Sequence, residues 1–281
     1  MELAPSFNDW ARTPPMGWNS FDCYGSSVTE AQFKANVDFM AEHLKPHGWE
    51  YCVVDFCWSH PDPGPVANPN QQDGFRPALH HDAFGRLIPA PNRFPSSADG
   101  RGFRPLADYV HGKGLKFGIH IMRGIPRQVV EADLPVMGFT ATARDIAAPE
   151  SRCSWLNHMC GVDASKAGAQ AYYDSLFHLY ADWEVDYVKA DDILTGYPGP
   201  YHEAEIEALR AAIDGCGRPM VLSLSPGQAP LNRAEHLRRH ANLWRISMDF
   251  WDTWWKLKEQ FQLCNAWSNY IGPGHWPDAD M

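Results

Sequence analysis

Short apolar runs rich in β-branched and aromatic residues alternate along this chain with longer segments of helical periodicity. Residues 49–58 (WEYCVVDFCW) and 115–122 (LKFGIHIM) have the composition of buried strands. Residues 29–47, which precede the first of these runs, carry apolar side chains at the spacing of one helix face. This alternation constrains the fold strongly, because it predicts parallel strands joined by helices as successive βαβ units.

The alternation continues along the chain and predicts the order of the elements. The predicted strands are 16–21, 49–58, 115–122, 185–190, 220–225, 243–247 and a seventh that begins in 275–281. The predicted helices are 29–47, 106–112, 165–183, 203–214, 232–241 and 254–264. The best fit is an α/β fold of the (β/α)8 TIM-barrel class, and the alternative is a doubly wound open sheet. No GxGxxG or GxxxxGK[ST] motif follows a predicted strand, which removes the usual sign of nucleotide binding.

Composition argues against several classes of protein. Lys and Arg total 24 against 34 Asp and Glu, a net charge of −10, whereas a protein that binds nucleic acid carries a basic patch. No apolar run approaches the ~18 residues of a membrane helix, and no secretory signal is visible. We therefore expect no membrane association and a cytoplasmic location unless a leader peptide is missing. Seven cysteines without a CxxC pair predict neither a disulfide framework nor a structural zinc site.

A long segment rich in Pro, Gly, Asn and Asp, residues 59–102, follows the second predicted strand. A loop of this length is uncommon in a compact domain unless it shapes a binding face. It keeps apolar side chains that can pack, so we expect an ordered loop on the rim of the site. These side chains are Phe75, Leu79, Phe84, Leu87, Ile88 and Phe94.

Acidic residues stand at the ends of four predicted strands. The carboxyl ends of barrel strands converge on one face, where catalysis takes place in this fold class. The sequence therefore predicts a pocket lined by carboxylates. The acids concerned are Asp55, Asp191, Asp192, Asp249, Asp278 and Asp280.

Glycoside hydrolysis fits these acids better than metal or phosphoryl chemistry. The nearby histidines, His60, His120 and His275, lack HxH or HExxH spacing, so we expect no metal and no cofactor. Two carboxyl groups in different protonation states suffice for glycoside hydrolysis. Lys189 lies two residues before Asp191, so on a strand it faces the same side and favours an ionised carboxylate.

Several charged residues near this face leave more than one interpretation open. Arg245, four residues before Asp249, could clamp a hydroxyl or a carboxylate. Asp192 and Asp252 could equally be helix caps or surface charges. The 12 Trp, 14 Phe and 10 Tyr serve mainly a core, while some could line a site for sugar rings.

Six segments of the chain resemble motifs of glycoside hydrolase family 27, in the clan that holds α-galactosidases. They occur in the family's order over nearly the whole chain, which makes the resemblance specific. The segments are residues 13–21 (TPPMGWNSF), 51–58 (YCVVDFCW), 114–120 (GLKFGIH), 186–192 (DYVKADD), 244–249 (WRISMD) and 272–281 (GPGHWPDADM).

The resemblance implies a retaining exo-acting glycosidase that works by double displacement. Asp191 matches the nucleophile, and Asp249 matches the residue that protonates the leaving group and then activates water. Side chains in the matching motifs are implied to line the sugar site: Phe21, Asp55, Trp58, Lys189 and Arg245. Behind these, the implied supporting acids, which orient the site rather than touch sugar, are Asp192, Asp278 and Asp280.

The partner implied is an oligosaccharide or glycoside, and departures from the family motif bear on which sugar it carries. Phe56 stands where α-galactosidases carry a second acid that grips the sugar hydroxyls, which weakens the case for galactose. Phe21 replaces the usual Trp, and Met248 gives Asp249 an apolar neighbour that would help to keep it protonated. Terminal α-galactosides are the first expectation. The alternatives are β-L-arabinopyranosides, α-glucan ends, or a barrel that binds carbohydrate without catalysis.

The position of the last matched motif also gives an expectation about length. GPGHWPDADM resembles the family's seventh-strand motif, so residues 1–281 are expected to be one catalytic barrel domain truncated after about the seventh strand. The last strand, its helix and the family's C-terminal β-sandwich would then be absent. Expressed alone, such a barrel is expected to aggregate or to open at its first strand, because strand groups stay unpaired. The oligomeric state is left open.

Overall fold

A computed structural model describes residues 6–63, 77–156, 158–194 and 200–280. Its strands, in chain order, are β1 (Gly17–Asn19), β2 (Tyr51–Val54), β3 (Lys116–Met122), β4 (Ile125–Pro126), β5 (Ala147–Arg152), β6 (Met159–Val162), β7 (Tyr187–Asp191), β8 (Val221–Leu224), β9 (Leu243–Arg245) and β10 (Trp276–Asp278). Seven of them form one parallel sheet in the order β1-β2-β3-β7-β8-β9-β10. The sheet curls into a half-barrel. Because its strands follow chain order without reversal, the doubly wound alternative does not apply.

Helices connect the parallel strands, as the apolar periodicity predicts. They are α1 (Phe21–Tyr24), α2 (Glu30–Phe39), α3 (Arg104–Gly112), α4 (Arg127–Glu131), α5 (Ala143–Ile146), α6 (Ala169–Asp182), α7 (Glu203–Gly215), α8 (Ala234–His240) and α9 (Trp254–Trp267). A capping box begins α2, in which Thr29 and Gln32 bond each other's backbone N–H. Residues 29–47 are predicted as one helix. In the structure α2 is followed there by a π turn and then by a 3-10 turn. That segment stops at Gly48, whose φ is 94°.

A second sheet, which the sequence analysis did not predict, lies between β3 and α6. In it β6 pairs antiparallel with both β4 and β5. Strand β5 (AAPESR) has no buried residue, and its pairing with β6 is shifted by a bulge. It therefore lacks the alternation of apolar and polar residues that marks a half-buried strand. Residues of this sheet pack beside the carboxyl end of β3.

The described part of the long loop, residues 77–102, is ordered by contacts with the main body. Phe94 is fully buried, and Leu87 and Ile88 pack against the core. Buried Arg93 donates to the carbonyl oxygens of Cys57, His60, Ser26 and Val28 at 2.7–3.1 Å. Phe75, which we expected to pack there, lies outside the described residues.

The surface is distinguished by aromatic side chains on α9. Trp254, Trp255 and Phe261 are 72%, 61% and 75% exposed.

No helix among the described residues is both long and apolar enough to cross a membrane. Cys23 and Cys264 are exposed free thiols, and Cys52, Cys153, Cys160 and Cys216 are buried free thiols.

Candidate active site

The predicted acids do meet at the carboxyl ends of the parallel strands. Asp55 follows β2 directly, and Asp191 is the last residue of β7. Arg245 ends β9, and Asp278 ends β10. In β2, β7 and β9 the apolar residues before these side chains are buried, which fixes the point where the chain emerges at the edge of the sheet. In β10 the residues before Asp278 are half-buried.

Asp55 forms a buried ion pair with Lys189. The Lys189 ammonium donates to Asp55 Oδ2 at 3.0 Å, and the two residues are 8% and 1% exposed. Asn19, at the end of β1, donates to the same oxygen at 2.7 Å. Burial raises the pKa of Asp55, but the charge of Lys189 and the hydrogen bonds outweigh it and hold the pKa well below its usual range. Asp55 is therefore an ionised, fixed acceptor.

Asp191 is held by three donors from the surrounding strands. His120 Nε2 lies 2.9 Å from Oδ2, and the Ser225 hydroxyl donates to Oδ1 at 2.9 Å. The backbone N–H of Asp192 donates to Oδ1 at 3.3 Å. Burial raises the pKa of Asp191, yet His120 and Lys189 bring it below its ordinary value. An ionised, oriented carboxylate of this kind can attack a sugar carbon.

Arg245 is held between two carboxylates. Its guanidinium donates to Asp249 Oδ1 at 3.0 Å and ion-pairs with Asp280 Oδ1 at 2.9 Å. Arg245 is 2% exposed, so it is a fixed cation and already has carboxylate partners. Asp280 thus contacts Arg245 directly. Asp278 instead accepts the backbone N–H of Asp280 at 3.0 Å.

Asp249 lies at the open side of this group. Its side chain is 58% exposed, in contrast to the buried Asp280 on the other side of Arg245. Met248 is itself 40% exposed. That Met248 helps to keep Asp249 protonated as its apolar neighbour stays a prediction.

Asp192 turns away from Asp191 into a separate buried network. Its φ of 59° directs the side chain to Arg123, whose Nη2 lies 2.8 Å from Oδ2. Arg123 also pairs with Glu205 of α7 at 2.8 Å. Burial raises the pKa of Asp192, and the charge of Arg123 acts against that rise. Asp192 is thus neither a surface charge nor a helix cap; it anchors the end of β7 to α7.

Aromatic side chains form one wall beside Asp55. Phe21 packs edge-on against Phe56, with ring centroids 6.3 Å apart, and Phe56 packs in turn against His120 and Trp155. Lys189 Nζ lies 6.0 Å from the Phe21 ring. Phe56 is 5% exposed, so this wall is apolar at the position where the family motif has its second acid.

Trp58 does not belong to this wall, which corrects the prediction that it lines the sugar site. It is 3% exposed, and its indole N–H donates to the His120 carbonyl oxygen at 2.6 Å. Its ring packs edge-on against Phe103 and Trp183 in the core. The indole is thus part of the core, next to a small cavity that Phe56 and His120 also line.

A cavity of about 500 Å³ lies along the concave side of the sheet. Asn19, Asp22, Lys189 and Arg245 contribute to its lining. Within the described residues, the side chains whose spacing suits a metal ion are Glu207, His236 and His240, which lie on the outer helices and not at this edge.

Three donors to the central carboxylates were missed by the sequence analysis. Asn19, His120 and Ser225 each come from a different strand or strand end. The signal that could have found His120 is register, because it pairs with Lys189 across β3 and β7. Two neighbouring polar residues at one level of a sheet point to the same site.

The chain matches a protein-family model described as alpha galactosidase A over residues 13–130 and 156–281. Among curated proteins, it is 29% identical to alpha-galactosidase 3 of Arabidopsis thaliana over 98% of this chain and 49% of that protein. It is 28% identical to alpha-N-acetylgalactosaminidase of Gallus gallus over 98% of this chain and 58% of that protein. The chain therefore spans about half the length of these relatives.

Among solved structures, the chain is similar to a GH27 β-L-arabinopyranosidase from Geobacillus stearothermophilus in complex with arabinose. The two are 54% identical, with a TM-score of 0.94 over 99% of this chain and 64% of that chain. This likeness, together with the seven parallel strands, confirms the TIM-barrel fold class predicted from the sequence.

Proposed function

The chain belongs to glycoside hydrolase family 27, the alpha-galactosidase family, and from that premise we propose that it is the catalytic part of a retaining exo-glycosidase. Its partner is a glycoside or oligosaccharide with a terminal sugar of the galactose configuration. The observation that carries the proposal is the state of Asp191, a buried carboxylate held ionised by His120 and Ser225.

The proposed reaction has two displacements at the anomeric carbon. Asp191 attacks that carbon while Asp249 gives a proton to the leaving oxygen, which forms a glycosyl-enzyme and releases the alcohol. Asp249 then takes a proton from water, which attacks the same carbon and frees Asp191. The exposure of Asp249 supports this role, because a side chain at the mouth can meet both the leaving group and water. No cofactor is needed.

The remaining side chains hold the sugar in the proposal. Asp55 accepts sugar hydroxyls and Lys189 donates to them, and their mutual ion pair keeps both groups in place. Phe21 covers an apolar face of the sugar ring. Asp280 fixes Arg245, which in turn positions Asp249.

We propose β-L-arabinopyranosides as the preferred substrates. This sugar has the ring configuration of an α-galactoside without the hydroxymethyl group. Phe56 is buried beside Asp55, within the apolar wall of Phe21 and Trp155, so it offers no acceptor for a 6-hydroxyl. An unpaired hydroxyl at such a wall is costly. The similarity to the arabinopyranosidase supports the same choice.

Terminal α-galactosides are the second candidate. The Asp55–Lys189 pair would serve both sugars, because they share the remaining ring hydroxyls. Alpha-galactosidases among the curated relatives favour this candidate. α-Glucan ends have a different ring configuration, and no side chain described at this site favours them.

A panel of nitrophenyl glycosides tests the proposal. The expected result is turnover of the β-L-arabinopyranoside with a kcat/KM at least about tenfold above that of the α-galactoside. A higher kcat/KM for the α-galactoside would overturn the sugar assignment and favour the second candidate. Binding of either sugar without any turnover would instead favour a carbohydrate-binding barrel without catalysis. Six free thiols among the described residues, at Cys23, Cys52, Cys153, Cys160, Cys216 and Cys264, support the further proposal of a reducing, cytoplasmic location.

A further inference from the structure

Two histidines and a glutamate converge between the outer helices α7 and α8. His236 and His240 are one helical turn apart on α8, so they share a face, and their ring centroids are 4.2 Å apart. Glu207 of α7 lies opposite, with its Oε1 3.4 Å from His236 Nε2. One ligand atom from each of the three residues lies within 4.8 Å of the others.

Hydrogen bonds engage Nδ1 of both rings and leave Nε2 as the nitrogen that can bind an ion. The Nδ1 of His240 bonds the His236 carbonyl oxygen at 2.8 Å, so it carries the proton and Nε2 keeps a lone pair. The Nδ1 of His236 bonds the Tyr201 hydroxyl. Histidines that bind metals are fixed in this way, through the nitrogen that faces away from the ion.

His236 Nε2 is a buried atom whose hydrogen-bonding capacity is unused. The residue is 5% exposed, and no described group satisfies this nitrogen by hydrogen-bond geometry. An unsatisfied buried polar atom of this kind calls for a partner.

We propose that Glu207, His236 and His240 bind a divalent transition-metal ion, with Zn²⁺ as the preferred occupant. Two imidazoles and one carboxylate are a donor set that Zn²⁺ takes in proteins, with a fourth position left for water. Ligand atoms around a tetrahedral zinc are about 3.3 Å apart, from Zn–N and Zn–O bonds of about 2.0–2.1 Å. Glu207 Oε1 already lies 3.4 Å from His236 Nε2, and the Glu207 side chain, which is 54% exposed, has room to change rotamer.

The neighbouring charges suit a cation. Glu203, one turn before Glu207, places Oε1 3.8 Å from His236 Nε2. Its other oxygen pairs with Arg233 at 2.9 Å, which anchors Glu203 beside the site. The site lies outside the sheet and joins α7 to α8. The sequence places His60, His120 and His275 near strand ends, whereas His236 and His240 lie on a helix.

The experiment uses the untagged full chain, depleted of metal by a chelator and titrated with ZnCl₂ in a calorimeter. One Zn²⁺ is expected to bind per chain, with an affinity that falls at least about tenfold in Glu207→Gln and in His240→Ala. His178→Ala is the matched control, because His178 also bonds a carbonyl oxygen one turn earlier in a helix through Nδ1. It is expected to leave the affinity unchanged.

Cobalt identifies the ligands independently of affinity. Co²⁺ in place of Zn²⁺ is expected to show the visible absorption of a four-coordinate nitrogen and oxygen site, lost in His240→Ala. A thiolate-to-metal band would assign the ion to Cys23 or Cys264, the exposed thiols, and would overturn the proposal. No binding at micromolar Zn²⁺, or equal binding in Glu207→Gln, would also overturn it. Glu207 is exposed, so its isosteric variant is expected to fold.

Discussion

His120 Nε2 lies 2.9 Å from the Oδ2 atom of Asp191, and both residues are buried. They stand on neighbouring strands, β3 and β7, so the contact is set by the register of the sheet and not by a loop. A partner on a rigid strand can hold a carboxylate oxygen in one place and stabilise its charged form. His120 therefore acts as a positioning residue for Asp191.

Replacing His120 by Phe is expected to reduce kcat/KM by about 10–100-fold, because Asp191 loses both orientation and stabilisation of its charge. The substitution removes the interaction with His120 that lowers the pKa of Asp191, whereas the burial that raises this pKa remains. Activity requires the ionised form and is lost as pH falls through this pKa. The acidic limb of the pH–rate profile should therefore move to higher pH.

His120→Gln is the control for that experiment, since its amide can place a donor near the position of Nε2. Partial recovery of both the rate and the acidic limb is expected. Equal profiles for the wild type and His120→Phe would show that His120 does not act on Asp191.

Asp191→Gly is expected to abolish turnover, and sodium azide is expected to restore it by entering the vacated space. Azide then attacks from the side of the missing carboxylate, so the glycosyl azide should have the configuration opposite to that of the substrate. With Asp249→Gly, azide instead attacks the glycosyl-enzyme, and the product should keep the substrate configuration. NMR of the product distinguishes the two.

Asp252→Gly is the matched control, because Asp252 is an exposed acid three residues from Asp249. It is expected to retain turnover and to form no azide product. Product configurations that are exchanged between the Asp191 and Asp249 variants would reverse the proposed roles.

Lys189→Met is expected to lower the free energy of unfolding by about 3–5 kcal/mol, because Asp55 would be left charged and buried without its cation. Asp55→Asn combined with Lys189→Met should cost less than the sum of the two single changes. Urea unfolding followed by circular dichroism measures both. Arg104→Met is the control, because it breaks the exposed Arg104–Asp108 pair. It is expected to change the urea midpoint little. Strict additivity would mean that the buried pair is not coupled.

Phe56→Asp is expected to shift specificity towards α-galactosides, because a carboxylate beside Asp55 provides an acceptor for the 6-hydroxyl. The ratio of kcat/KM for the α-galactoside to that for the β-L-arabinopyranoside should rise at least about tenfold. Phe56→Leu keeps the wall apolar and is expected to leave the ratio unchanged. A ratio that changes equally in both variants would assign the effect to shape and not to hydrogen bonding.

Acid is expected to destabilise the fold through His158. Burial lowers its pKa from 6.5 to about 4. The unfolded chain therefore takes up a proton as pH falls below about 6.5, while the folded chain does so only near pH 4. Stability should fall across this window by about 3 kcal/mol, at 1.36 kcal/mol for each pH unit.

Urea midpoints measured from pH 7 to pH 4 check this prediction. The slope should be smaller in His158→Phe than in the wild type, and unchanged in His178→Phe, whose side chain is exposed. Part of the slope will remain, because burial also lowers the pKa of His60, whose ring lies 4.9 Å from that of His158. An identical slope in His158→Phe would contradict the assignment.

The sequence predicts the parallel sheet well because most of its strands have a local signal. Runs such as YVKA and MVLSLS are β-branched or apolar, and an acid or a polar residue follows each where the strand ends. The antiparallel sheet has no such signal. Its strand β5 is polar, and it is held by pairing to β6 rather than by burial of an apolar face.

The acids of the site could be predicted, whereas their partners could not. A carboxylate after a strand can be read from one segment, but the donor that holds it comes from another strand. Ser225 reaches Asp191, and Asn19 reaches Asp55, only because neighbouring strands place them at one level. Asp192 follows a strand as well, but its left-handed backbone turns its side chain to Arg123. The spacing of residues in the sequence does not predict such a change of direction.

The exposed aromatics of α9 make this protein convenient for optical work. Trp254 and Trp255 stand in water, while Trp58, Trp183 and Trp244 are enclosed among other rings. Iodide reaches this pair and Trp251, which is 49% exposed and lies three residues before α9, but not the enclosed rings. Its quenching therefore separates the emission of this surface from that of the enclosed tryptophans. Anything that comes to lie against this helix would therefore be visible in the quenchable fraction alone, without a label.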